Sequence, residues 1–252
     1  MDRLLRRMAA LAAVVAVLVA ARALGGPRTA LMAGAALFSL IGLVLVVLPR
    51  TAHRAFRRGS FGRAALLYGL LARVRLDGAA RAALRLSIAA CLLGRERHHD
   101  GLALLGRIDP AALGESARAA WHNNRAYALA RSGGDPAQAL IDSDSAIALR
   151  PDLSGFRHTR GLALLGLGRI DEAIRELDAV WYRGSGEDTP PLLEAERCHD
   201  LGLALSRKGE RDHAADYFER AARAAPGSPW AARAAANLEP TERIPGPLAD
   251  LI

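Results

Sequence analysis

The stretch that decides the fold runs from Cys198 to Pro226. It reads Cys198-x2-Leu201-Gly202-x2-Leu205, then the link Lys208-Gly209-Glu210, then Ala214-x3-Phe218, Ala221 and Pro226. Each half carries small and apolar residues three or four apart, the spacing that lines one face of a helix. Gly209 stands where a first helix ends, and Pro226 stops a second. The pattern predicts two short amphipathic helices joined by a tight turn. Such a pair cannot bury its apolar faces alone, so it needs neighbours of its own kind.

Neighbours lie upstream. Arg160-Gly161-Leu162-Ala163-Leu164 matches the first helix, and Gly168-Arg169-Ile170-Asp171-Glu172-Ala173 matches the turn and the start of the second. An earlier copy has Asn124-Arg125-Ala126, Leu129, Ala139, Ala146 and Pro151. Ala139 and Ala173 stand 34 residues apart, and Ala173 and Ala214 stand 41 apart. The excess falls in Trp181–Pro191, rich in Gly, Pro and acidic residues, which is expected to be a plain inserted loop. On these residues, positions 119–226 resemble three tandem tetratricopeptide repeats, a family with a period of 34 residues. Ser143 replaces the usual aromatic or large apolar residue, and Ser185 replaces the closing proline.

The resemblance implies an all-α fold, a right-handed α-solenoid. It also implies a concave groove, lined by the first helix of each repeat, that holds a protein or peptide partner. In this chain the lining positions are Asn123, Asn124, Tyr127 and Arg131, then His158, Thr159 and Leu162, then His199, Asp200, Leu203 and Arg207. Asparagine amides suit the backbone of an extended ligand, and arginines suit its acidic groups. The competing reading of each residue is a solvated outer face. The lysine-and-asparagine set by which family members clamp a C-terminal carboxylate is missing, so a chaperone-tail ligand is not expected.

Outward from the array the pattern loosens. Gly59, Ala64, Tyr68 and Leu71 have the spacing of a second repeat helix, and Ala89, Leu92, Gly101, Leu105 and Ile108 that of another repeat. Residues 51–118 are expected to be a diverged, capping section of the same solenoid. Residues 227–252 hold a capping helix, Ser228 to Leu238, with Ser228 as N-cap and Pro229 in the first turn. The tail after it contains Pro240, Pro245 and Pro247 and is expected to be extended.

Residues 1–50 read differently. Met8 to Ala21 carries no charge, Arg22 follows, and Gly25-Gly26-Pro27 breaks the helix. Thr29 to Leu48 is 20 residues without a charge and ends before Pro49-Arg50. That length crosses a bilayer. We expect an N-terminal transmembrane helical hairpin. Arg3, Arg6 and Arg7 precede it, and Arg50, Arg54, Arg57, Arg58 and Arg63 follow it. Arginine of this kind stays on the cytoplasmic side, which places both ends of a two-pass protein there, at the inner membrane of a bacterial-type cell. The rival reading makes residues 1–23 a cleaved leader with Ala21-Arg22-Ala23 as its site.

Composition agrees. Apolar residues make up 51% of the chain and aromatics only 5%, with Ala and Leu dominating, which favours close helix packing over sheets. The net charge of +8 is uneven: residues 1–109 hold +12 and residues 110–252 hold −4. A basic excess beside apolar helices points to a membrane surface and not to nucleic acid. Cys91 and Cys198, far apart and outside any CxxC, make neither a disulfide framework nor a metal site. No phosphate loop, GxSxG or HExxH occurs. His98-His99-Asp100 and Cys198-His199-Asp200 place adjacent residues about 100° apart on a helix, so neither reads as a metal or catalytic cluster. The chain therefore reads as a membrane-anchored adaptor or scaffold, with no cofactor and no enzyme activity. The alternatives are a self-associating assembly factor forming homo-oligomers and a membrane enzyme with an unrecognised site.

Overall fold

The computed structural model describes residues 2–75, 77–183 and 190–238, with side chains between 12 and 180 and between 190 and 238. The centre of the inserted loop, the side chains of Trp181 and Tyr182, those of Arg3, Arg6 and Arg7, and the tail from Glu239 lie outside the described residues. The fold is all-α, with no strand among the described residues. Two compact units divide it, Met1–Ser132 and Gly133–Ile252.

The first unit begins with α1, Asp2–Gly42, whose backbone is non-helical at Gly26 (φ 80°, ψ −169°). Only glycine takes that φ without strain. Thr29 Oγ1 donates to Ala21 O at 2.7 Å and lies 2.8 Å from Gly26 O. Residues 21 and 29 of one straight helix would stand about 12 Å apart, so the chain folds back here. A Cβ built on Gly34 would lie 3.7 Å from Leu18 Cδ2, which carries the reversal two turns further.

After Gly26 the helix does not end at Pro49. A π-helical turn, Leu43–Val47, leads directly into α2, Leu48–Arg57. Leu48 N–H bonds to Leu43 O, five residues back. Widening the ladder by one residue accommodates a proline that has no N–H to offer and crowds the preceding turn. Thr51 Oγ1 donates to the Val47 carbonyl at 2.8 Å. The sequence pattern ends the apolar helix at Pro49, whereas the backbone runs on to Arg57. No residue from 12 to 51 is buried, and Leu24, Leu31, Met32 and Phe38 are 72–90% exposed. By length and composition alone, the helical stretch Ala12–Arg57 holds an apolar window long enough to cross a membrane.

α2 faces the rest of its unit with Ala52 and Ala55, both buried. They pack with Ala64, Tyr68 and Leu71 of α3 (Phe61–Val74) and Cys91 of α4 (Gly78–Leu93). Val44 and Leu48, from the end of the apolar helix, join the same cluster. α5 (His98–Leu105), a short 3-10 turn (Pro110–Ala112) and α6 (Glu115–Ser132) follow. A second cluster holds Leu86, Ala89, Leu105, Ile108, Leu113 and Trp121, whose Nε1 donates to Leu105 O at 3.0 Å.

The second unit contains α7 (Pro136–Leu149), α8 (Gly155–Gly166), α9 (Ile170–Arg183), α10 (Pro191–Lys208), α11 (Arg211–Ala224) and α12 (Pro229–Leu238). α8 pairs with α9 and α10 with α11 through short turns. The two pairs are built alike at one close contact. A Cβ on Gly161 would stand 2.8 Å from Leu177 Cγ, and one on Gly202 would stand 2.7 Å from the Phe218 ring. Ala173, Leu177, Cys198, Leu201, Ala204, Ala214, Phe218 and Ala221 form the core around these glycines. α12 closes the unit with Trp230 and Ala234 buried, and Ser228 Oγ caps it by accepting from Ala231 N at 3.1 Å.

Candidate functional site

The groove positions implied by the repeat pattern fall in both units. On α6, Asn123, Asn124, Tyr127 and Arg131 are all half-buried. The Tyr127 ring meets His98 edge-on at 5.8 Å, and the Arg131 guanidinium lies 5.4 Å from the Tyr127 ring centre. Asn123 Oδ1 is buried and has no hydrogen-bond partner among the described residues. A buried amide oxygen left so is costly unless something donates to it.

In the second unit the positions divide. His158 and Leu203 are half-buried and Arg207 is exposed. Arg207 Nη1 donates to Leu165 O at 3.2 Å, tying α10 to α8. Thr159, Leu162, His199 and Asp200 are buried. Helix periodicity marks them as one face, but that face is partly packed away here. α12 backs it, with the Trp230 ring 5.4 Å from the His199 ring.

Four ionisable groups meet on this buried face. His158 Nε2 of α8 lies 2.9 Å from Asp200 Oδ2 of α10, and Asp200 is wholly buried. His199 Nδ1 lies 3.2 Å from the other oxygen, Oδ1. Glu196, one turn before Asp200 and 6% exposed, completes the group. One donor atom each from His158, Glu196 and Asp200 lies within 4.8 Å of the others. Glu196 is absent from the groove positions read off the sequence. Its i, i+4 spacing to Asp200 is visible there. Its meeting with His158 depends on how successive helix pairs stack, which spacing alone does not give.

The neighbouring charges have separate employment. Arg197, 3% exposed, clamps Glu194 with Nε at 2.9 Å and Nη2 at 2.7 Å. Burial works against the Glu194 charge, yet the Arg197 hydrogen bonds and charge hold its carboxyl below the usual range. Cys198 Sγ donates to Glu194 Oε1 at 3.2 Å. Burial first, and the Glu194 charge second, push its thiol up to about 12. Cys91 is pushed up to about 11 by burial. Neither thiol is ionised near neutral pH, so neither is a ready nucleophile. Arg157 and Arg160, one turn apart on α8, both reach Glu176 on α9, at 3.2 and 2.8 Å.

A second charged surface lies on α2. Pro49, Arg50, His53, Arg54, Arg57 and Arg58 line one depression, on residues spaced for one side of a helix. It begins where the exposed apolar helix stops.

Successive helix pairs with glycine-to-large-residue contacts define the class, a helical-repeat protein. Residues 195–228, which span most of α10 and all of α11, match the family model of the tetratricopeptide repeat. The chain is 31% identical over 121 residues, 48% of its length, to "Protein FlbA" of Caulobacter vibrioides. That match covers 20% of FlbA, so the chain spans about a fifth of this curated relative. Among solved structures it resembles TTC0263, a thermophilic tetratricopeptide-repeat protein of Thermus thermophilus. The TM-score is 0.55 at 20% identity, covering 75% of this chain and 96% of that one. MamA from Desulfovibrio magneticus follows at TM-score 0.45 and 16% identity, covering 71% and 93%.

Proposed function

We propose that this protein is a membrane-anchored adaptor that presents a protein-binding repeat array at the cytoplasmic face of the inner membrane. The carrying observation is the uncovered apolar helix, which passes without a break into the first packed helix of the array. Exposed apolar surface on this scale demands a cover, and a bilayer supplies one. The reversal at Gly26 brings the chain back, so the N-terminus and the array share one side. The arginines of α2 then sit at the cytoplasmic headgroups, in keeping with the positive-inside rule. Residues 1–50 serve as the anchor, 51–118 as the diverged first section, 119–226 as the three repeats and 227–252 as the cap and tail.

The partner is a protein segment, not nucleic acid. In the first unit Asn123, Asn124, Tyr127 and Arg131 offer such a segment an amide acceptor, an aromatic ring and a cation; the second unit, taken by itself, offers His158, Leu203 and Arg207. Thr159, Leu162, His199 and Asp200 support that surface from within. Anchoring raises the local concentration of the array near other membrane proteins. The repeat match supports this reading, because stacked repeats of this kind present extended binding surfaces.

An affinity capture from membranes tests it, comparing the full-length protein with a variant carrying Asn124→Ala, Tyr127→Ala and Arg207→Ala. Partners held by the first and lost by the second are expected. Partners retained by both move binding to another surface.

A further inference from the structure

We infer that His158, Glu196 and Asp200 form a binding site for a divalent transition-metal ion, zinc(II) being the first candidate. The inference goes beyond the adaptor reading and does not need it. The donor set is one imidazole nitrogen and two carboxylate oxygens, one atom from each residue, all within 4.8 Å of one another. Ligands on one cation at about 2.0–2.2 Å stand roughly 3–3.5 Å apart. The His158–Asp200 pair, at 2.9 Å, stands just inside this spacing and opens to it as the ion replaces the proton between them. Glu196 needs a shift of about 1 Å, within the reach of its side-chain torsions.

The support is more than proximity. Glu196 and Asp200 are i and i+4 on α10, so both carboxylates lie on one side of a rigid 18-residue helix. His158 comes from a different helix, α8, and approaches through Nε2. Asp200 is wholly buried and Glu196 nearly so. Two carboxylates and a neutral imidazole around a dication sum to no net charge, the state that a buried site favours. The other oxygen of Asp200 is held by His199 Nδ1 at 3.2 Å. The His199 ring is itself packed against Phe218 and Trp230, at 6.0 and 5.4 Å. A carboxylate ligand oriented by a fixed outer group is the usual construction of a metal site. His158 is the most exposed of the three, with 14% of its side chain open, so the remaining coordination positions face that way. Imidazole among the donors favours zinc, cobalt or nickel over magnesium or calcium.

The test is a titration of the full-length chain, purified in detergent without a histidine tag and stripped with chelator. Cobalt(II) is added and its visible absorption followed, and zinc(II) is added in a calorimeter. One saturable equivalent is expected, reversed by chelator and not displaced by excess magnesium(II). Zinc(II) raises the unfolding temperature. His158→Gln and Glu196→Gln each weaken binding by more than about tenfold, whereas His213→Gln, at an exposed position of α11, leaves it unchanged. His199→Gln, a positioning change, weakens it by about tenfold without removing the cobalt band. No saturable equivalent, or binding that survives both His158→Gln and Glu196→Gln, overturns the proposal. Where a substituted chain fails to fold, carbethoxylation of His158 in the unaltered protein decides. Protection by one equivalent of zinc(II) upholds the site, and unchanged modification overturns it.

Discussion

A hydrogen atom is all that the space at position 202 allows. The Phe218 ring lies where a Cβ would stand, 2.7 Å from it, and Gly161 has the same relation to Leu177. Gly202→Val is therefore expected to lower stability by about 1–3 kcal/mol, measured by urea unfolding. An unchanged midpoint would show that α10 and α11 yield freely there. These contacts are legible in the sequence, because Gly161 and Gly202 each stand 12 residues before an alanine of the partner helix, Ala173 and Ala214. Side-chain burial is less legible. His199 and Asp200 are polar residues at positions that helix phase turns toward a groove, but Trp230 of α12 covers that part of α10. Glu196 gives no signal of its own because its partner, His158, is 38 residues away and comes near only when α8 and α10 stack.

At the scale of elements, the sequence marks out the two C-terminal helix pairs closely and the N-terminal end less well. α3, α4 and α5 fall where the sequence pattern places helices. α2 is not, since Pro49 reads as the end of whatever precedes it. Proline breaks an α-helical ladder, and no local signal announces the wider turn at Leu43–Val47 that absorbs it. The result is that the last turns of the apolar helix belong to the core of the first unit. Val44→Ala with Leu48→Ala is expected to cost about 2 kcal/mol of stability, since both side chains are half-buried against that core. Leu24→Ala, 90% exposed, is expected to change nothing. Thermal unfolding in detergent distinguishes these outcomes. Equal effects from the two changes would mean that the helix end is not part of the core.

Across the whole molecule, charge is the broadest signal: +12 in residues 1–109 against −4 in residues 110–252. Much of that excess gathers on α2 and just after it, at Arg50, Arg54, Arg57 and Arg58. On the proposed anchoring, reversing Arg54, Arg57 and Arg58 to glutamate is expected to remove about 1 kcal/mol of anionic-lipid attraction for each arginine lost, and to add repulsion. The expected outcome is mixed insertion. A Ser60→Cys probe, treated with an impermeant maleimide, reacts only from the cytoplasmic side in the parent and from both sides in the variant. One-sided labelling in both would free the arginines of any part in orientation.

The unbroken helix from Pro27 to Arg57 has a mechanical meaning as well. A few glycines between an anchor and its cargo would let the two tumble independently. Under the anchoring proposed above, no swivel stands at the bilayer boundary. The first helix pair would take one azimuth and one tilt from the helix that enters the lipid, and a rotation of either end would be felt at the other. A partner pulling on that pair would exert torque within the membrane, and a neighbour gripping the lipid-facing helix would turn the surface outside.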